Sequence, residues 1–245
     1  MDIRPIILVK FLYSSLSGGY RRLYEILKLG KSEGIDYIII TDSESCQNAS
    51  RIFPGFMDIL RNYKVYKIEL QRRQVLISGL KQVAKFKRIF HSAAVISKIA
   101  QKEDADLIVN PHEGFEGVLT SYLAGKFCSK PWTAVFQPTA DLLQPSQSIG
   151  SLNLLNALSL VSQKKSTTNL SLLAKVGLSA GLFGLLKVAE RSLMLSVSLS
   201  ASEEVRFLNP KISFQVIKPG NGIDVQKFAK GQAPNPKYSA IFLVG

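Results

Sequence analysis

Cysteine, histidine and acid are the scarce side chains here, and each scarcity removes a class of function. Cys46 and Cys128, the two cysteines of 245 residues, lie far apart with no C-x-x-C spacing. They build neither a disulfide framework nor a thiolate zinc site, and they predict free thiols in a reducing compartment. The glycine pattern G-x-G-x-x-G is absent, so a nicotinamide or flavin enzyme is not supported, and neither a metal nor an organic cofactor is expected. No small-residue cleavage site follows Asp2, Arg4 and the first apolar run, which predicts no signal peptide. The longest apolar helical stretch, Leu170 to Leu186, is interrupted by Lys175 and followed by Lys187. It barely reaches the roughly 17–25 residues that span a bilayer, and a buried core helix or one lying in a membrane interface suits it better. Asn48-Ala49-Ser50 and Asn169-Leu170-Ser171 match the glycosylation pattern, but without a secretion signal they read as chance matches.

Acid is outnumbered throughout: 18 Asp and Glu stand against 31 Lys and Arg, for a net charge of +13. The excess is local. Arg61 to Lys102 holds eleven basic residues against Glu69 alone, which points to an anionic surface or ligand. Nucleic acid is the poorest match, because no interleaved aromatic stacking pattern accompanies the charge, and no nucleic-acid partner is expected. What the chain does have is hydrophobic residues, 46% of the total, enough for a substantial core.

The apolar residues come in short runs separated by helical patterns. Ile6 to Tyr13 is almost continuously apolar, which suits a strand buried on both faces of a parallel sheet. Ser14 to Gly19 breaks it, and Leu23, Ile26, Leu27 and Gly30 then follow helical spacing. Strands are also predicted at Tyr37–Thr41, Lys64–Leu70, Asp106–Asn110, Trp132–Phe136, Leu195–Leu199 and Phe214–Ile217, with Asp42 to Pro54 a polar loop. Helices are predicted over Gln71–Lys102, Phe115–Phe127 and, capped by Ser200 or Ser202, up to Leu208. This alternation predicts an α/β fold built on a Rossmann-like, doubly wound parallel sheet.

Two features carry chemistry. Gly18 and Gly19 stand between the first strand and its helix, where open α/β sheets bind ligands; the pair serves either close approach of an anion or sugar, or simply a tight turn. In the helix up to Phe90, Leu76, Leu80, Val83, Phe86 and Phe90 gather on one side, with Lys81, Lys85 and Arg88 opposite. That basic side is either a solvated helix face or an attachment to anionic lipid headgroups; the near absence of acid favours attachment through Lys81, Lys85 and Arg88.

Several stretches together resemble the N-terminal half of a retaining GT-B glycosyltransferase of family four, the group that includes phosphatidylinositol mannosyltransferases. They are Ser17-Gly18-Gly19, Pro111-His112-Glu113, Ser200-Ala201-Ser202-Glu203, and Val216-Ile217-Lys218-Pro219-Gly220-Asn221-Gly222-Ile223-Asp224 with Phe228. The last is similar to the family's I-P-N-G-V-D-x-x-x-F turn, with Gly220 inserted. The resemblance implies an acceptor-side domain over residues 1–228, an interdomain linker over 229–238, and the first strand of a donor-binding domain over 239–245. It implies transfer of a hexose from a nucleotide-sugar donor to a lipid-linked or glycan acceptor, once a donor-binding domain, in the same or a separate chain, completes the cleft. The family's Glu-x7-Glu motif belongs to that second domain; Glu25 and Glu33 share the spacing but lie on the first helix. By the same resemblance Gly18 and Gly19 line the cleft near the donor phosphate and His112 sits beside the acceptor as the catalytic candidate, an imidazole being able to exchange a proton with a sugar hydroxyl near neutral pH. A loop histidine held by hydrogen bonds is the alternative, and Glu113 serves either substrate or the cap of the next helix. The expected location is cytoplasmic, peripheral on the inner face of the cell membrane. A non-catalytic module that binds a membrane or a partner is the rival reading.

Overall fold

The structure, a computed structural model, describes residues 5–10, 18–52, 55–68, 78–111, 115–136 and 172–217. The expected turn at 218–224, the linker at 229–238 and the strand at 239–245 lie outside the described residues. Five strands, β1 (Ile6–Lys10), β2 (Tyr37–Thr41), β3 (Lys64–Lys67), β4 (Leu107–Asn110) and β5 (Trp132–Ala134), pair in the order β3-β2-β1-β4-β5, every pair parallel. Two more, β6 (Met194–Ser196) and β7 (Phe214–Val216), form a parallel pair of their own. A parallel bridge between Val135 and Leu195 carries the ladder across, with the Phe136 N–H donating to the Leu195 carbonyl at 2.8 Å.

The strands are apolar on both sides because both sides are covered. On β2, Ile38 and Ile40 join Ile7 and Val9 in one core, against residues of α4 (Ser78–Lys102) and α5 (Phe115–Cys128). Tyr37 and Ile39, pointing the other way, join Leu23 and Leu27 of α1 (Gly18–Ser32) and Phe56 and Leu60 of α3 (Phe56–Leu60). The period-2 alternation of a strand thus feeds two separate cores. Met194 of β6, Leu186 and Ala189 of α6 (Leu172–Ala189) and Val205 of α7 (Leu199–Leu208) extend the first core. Crossovers are right-handed, so helices lie on one face while the chain moves from β1 towards β3 and on the other once it doubles back to β4. The sheet is doubly wound, as its alternation of elements implies.

Two local expectations are corrected. The polar stretch after β2 contains a helix, α2 (Ser43–Ile52). Asp42 caps it: one carboxylate oxygen accepts the Ser45 backbone N–H at 2.8 Å and the other accepts the Ser45 hydroxyl at 2.5 Å. A polar composition hid a helix whose buried positions include small residues, Ser45 and Cys46. The cap of α7 is Ser198, which is extended and accepts the Ala201 N–H at 3.1 Å, whereas the Ser202 hydroxyl donates to the Leu199 carbonyl inside the helix. The strand consequently ends at Ser196, before Leu199.

Cys46 and Cys128 are free and buried, and burial pushes both thiols above their ordinary value, which disfavours the thiolate. Among the described residues no helix is long and apolar enough to cross a membrane; in α6, Leu186 and Ala189 are core residues, while Leu172 and Val176 are exposed.

At the amino edge of the sheet Glu103, just past α4, accepts from Lys64 Nζ at 2.7 Å and from the Tyr66 hydroxyl at 2.5 Å. The Lys64 hydrogen bond, then that of Tyr66, holds the Glu103 carboxyl below its ordinary value. A lowered folded-state pKa stabilises above the unfolded value of about 4.3 and is lost as pH falls through the folded one. Glu103→Gln is therefore expected to lower the melting temperature at pH 7 by about 1–3 °C, a modest effect because the pair is partly exposed. The difference should close below pH 4; melts over a pH series check it, and a constant difference would contradict the assignment.

Candidate active site at the carboxyl edge of the sheet

In a parallel sheet all strands deliver their following loops to one edge, and ligands bind where the strand order reverses direction. Here that point lies between β1 and β4. The two are in register, with Ile6 opposite Leu107 and Leu8 opposite Val109, so the two strands end at nearly one level. The loop after β1 leads to Gly18 and Gly19, the first two residues of α1. The loop after β4 passes through Pro111 towards α5, which starts at Phe115. His112 and Glu113 lie in that loop, outside the described residues. The strand order therefore brings two expected site segments, nearly a hundred residues apart in sequence, to neighbouring strand ends. Lys81, Lys85 and Arg88 lie elsewhere, on the amino-terminal half of α4. Arg88 is half-buried.

Three strands end at this edge in a buried polar residue that the sequence pattern did not single out. Asp42 follows β2 and caps α2. Ser196 ends β6; its hydroxyl donates to the Ser198 carbonyl at 2.8 Å and steadies the cap of α7. Asn110 ends β4, its carbonyl accepting the Val135 N–H at 2.8 Å and so fixing the strand end against β5. The signal was present in each case, a polar side chain closing an apolar run just before a helix.

Asn110 also explains a glycine. A Cβ on Gly117 would stand 2.3 Å from Asn110 Nδ2 and 2.8 Å from its Cγ, so α5 can approach β4 only because position 117 has no side chain. Asn110 ends β4 and Gly117 lies in the first turn of α5, so their contact fixes how closely the end of that strand and the start of that helix approach. Gly117→Ala gains up to about 1 kcal/mol in helix propensity but overpacks a buried amide at about 1–3 kcal/mol. A net loss of about 1–2 kcal/mol is expected, read as a lower urea midpoint at unchanged slope. A more stable variant would show that the amide moves aside freely.

Among the described residues no group of three His, Cys, Asp or Glu side chains could hold a metal ion. What the edge offers among the described residues is backbone N–H groups at the start of α1, which favour an anion or polar ligand.

No family profile matches the sequence, and a search of curated proteins returns no match. Solved structures do match. A UGT transferase from Siraitia grosvenorii in complex with UDP aligns at TM-score 0.54 and 10% identity, over 92% of this chain and 53% of that one. UGT2 from Phytolacca americana, complexed with UDP-2-fluoro-glucose and pterostilbene, aligns at TM-score 0.53 and 11% identity, over 95% of this chain and 58% of that one. The chain thus spans little more than half the length of these two structures. At such low identity the likeness is one of fold, and that fold is the Rossmann-like doubly wound parallel sheet of GT-B proteins.

Proposed function

We propose that this chain is the acceptor-side half of a glycosyltransferase cleft, in a retaining GT-B enzyme of the family-four type. The transferred group is a hexose from a nucleotide sugar, and the acceptor is lipid-linked or a glycan. The observation that carries the reading is the reversal of strand order between β1 and β4, which sets the end of the strand preceding the Gly18-Gly19 pair beside the end of the strand preceding His112. Helix N–H donors at the start of α1 suit a phosphate, and an imidazole suits proton exchange with a sugar hydroxyl. In this reading Gly18 and Gly19 admit the donor phosphate, His112 exchanges a proton with the acceptor hydroxyl, and Glu113 contacts the acceptor. The donor is held by a second domain, in the same or another chain. The fold neighbours support a nucleotide-sugar donor by analogy, two of them having been solved with UDP or a UDP-sugar. The test is a panel of nucleotide sugars and lipid or glycan acceptors, with product read by mass spectrometry and residues 1–245 assayed alone and together with a donor-binding half. Product that requires both halves supports the reading; no product from any pair overturns it.

A further inference from the structure

α4 is longer than the sheet it packs against. Its 25 residues at about 1.5 Å each give about 37 Å. Strands of three to five residues at about 3.3 Å reach at most about 17 Å. The carboxyl end of α4 is tied to the amino edge of the sheet through Glu103 and Lys64, so the surplus length lies at the other end, beside the carboxyl edge that carries the crevice. Burial marks the change. Ile89, Ala93, Ile96 and Ala100 are buried, whereas Phe86 and Phe90, one turn apart, are 45% and 52% exposed. Lys87 and His91 are exposed beside them, as is Lys98 farther along. From Ser78 to Lys102 the helix has six lysines and arginines and no acidic residue.

We propose that the amino-terminal half of α4 docks on an anionic phospholipid bilayer, with Phe86 and Phe90 entering the headgroup–acyl boundary and Lys87 facing lipid phosphates. Two exposed aromatic rings on a helix without acid match the make-up of an interfacial helix, which combines apolar burial with attraction to anionic headgroups. The charge commits the surface to an anionic partner, and the ring pair commits it to one with an apolar layer beneath the charge. Docking in this way sets the crevice between β1 and β4 close to the membrane, within reach of an acceptor carried by a lipid. The inference does not depend on glycosyl transfer, because vesicle binding is measured without donor or acceptor.

Sedimentation with mixed phosphatidylglycerol/phosphatidylcholine vesicles, and with pure phosphatidylcholine vesicles, tests it. Binding is expected to the mixed vesicles only and to weaken with salt, since charges on the surface are screened beyond about 10 Å at 0.1 M. Phe86→Ser with Phe90→Ser is expected to weaken partitioning at least about tenfold, two part-buried rings being lost. Lys87→Gln should weaken it about fivefold. A Phe90→Trp variant should be quenched by brominated lipid, against the low background of buried Trp132. No binding to anionic vesicles would overturn the proposal, as would equal binding by the variants. A dimer held by the two phenylalanines and indifferent to vesicles would overturn it as well, by assigning the surface to a second copy of the chain.

Discussion

His112→Ala is expected to slow sugar transfer by about 10²–10⁴-fold in the enzyme completed by its donor-binding half, the usual contribution of a positioned acid–base group. The expectation rests on where β4 ends. Asn110 is buried, its carbonyl is bonded to Val135, and its amide is seated against Gly117. The residue two positions on therefore leaves a strand end that is fixed on both sides. The neighbouring strand, β1, leads to the glycine pair at the start of α1. An imidazole with an ordinary pKa of about 6.5 can donate to or accept from a sugar hydroxyl at neutral pH, and alanine can do neither. Stability is expected to change little, within about 0.5 kcal/mol, if the residue serves the reaction and not the core. Rates measured across pH 5 to 9 for the wild type, His112→Ala and His112→Gln separate proton exchange from simple loop support. If glutamine, which keeps a hydrogen-bonding side chain, restores the full rate, the residue positions the loop or the substrate and transfers no proton. A wild-type rate in the alanine variant would make His112 a loop residue with no part in the reaction.

The sequence made some parts of this fold legible and concealed others, for physical reasons. Tyr37–Thr41 could be read as a strand because a strand buried on both faces has no polar alternation to confuse it, and it proved to feed two cores. α1 could be read because Leu23 and Leu27 repeat at helical spacing against a single core. α2 could not: its buried positions include Ser45 and Cys46, small enough to pack while leaving the segment polar overall, and its start is fixed by a capping bond at Asp42. Ser198 was passed over as a cap for a similar reason, since three serines in five residues fit the pattern and only the extended backbone at 198 selects one. The strand order is the largest thing that no local pattern carries. Spacing along the chain orders β1 to β7 in time, but that β4 returns to lie beside β1 is a property of the packed sheet. The adjacency of the strand ends that precede Gly18 and His112 follows from that return. In α4, the periodicity put Phe86 and Phe90 on the apolar side. Whether that side is covered depends on how far the sheet extends beneath it.

Residues 1–245 expressed alone are expected to transfer no sugar at a measurable rate, and adding a donor-binding half is expected to raise the rate by several orders of magnitude. Transfer between two substrates needs both held in reacting geometry, and that positioning supplies about 7–11 kcal/mol of barrier reduction, or about 10⁵–10⁸-fold in rate. The described residues contain one reversal of strand order in the five-stranded sheet, between β1 and β4. In the proposed reading this half orients the acceptor and leaves the donor to diffuse, and the positioning contribution is then lost almost entirely. The two UGT structures of the same fold are each nearly twice as long as the part this chain covers, 53% and 58% of their lengths, which leaves room for a second set of ligand contacts in such proteins. Calorimetry should accordingly show negligible nucleotide-sugar binding by residues 1–245. Both donor binding and turnover should appear when the second half is supplied, whether joined in one chain or mixed as a separate one. Binding and turnover need to be measured together, because they fail differently. Donor binding without turnover on mixing would mean that the halves do not assemble in register, and joining them with a linker would correct it. Robust transfer by residues 1–245 alone would place the donor site within this chain, and the crevice between β1 and β4 would then have to hold both substrates.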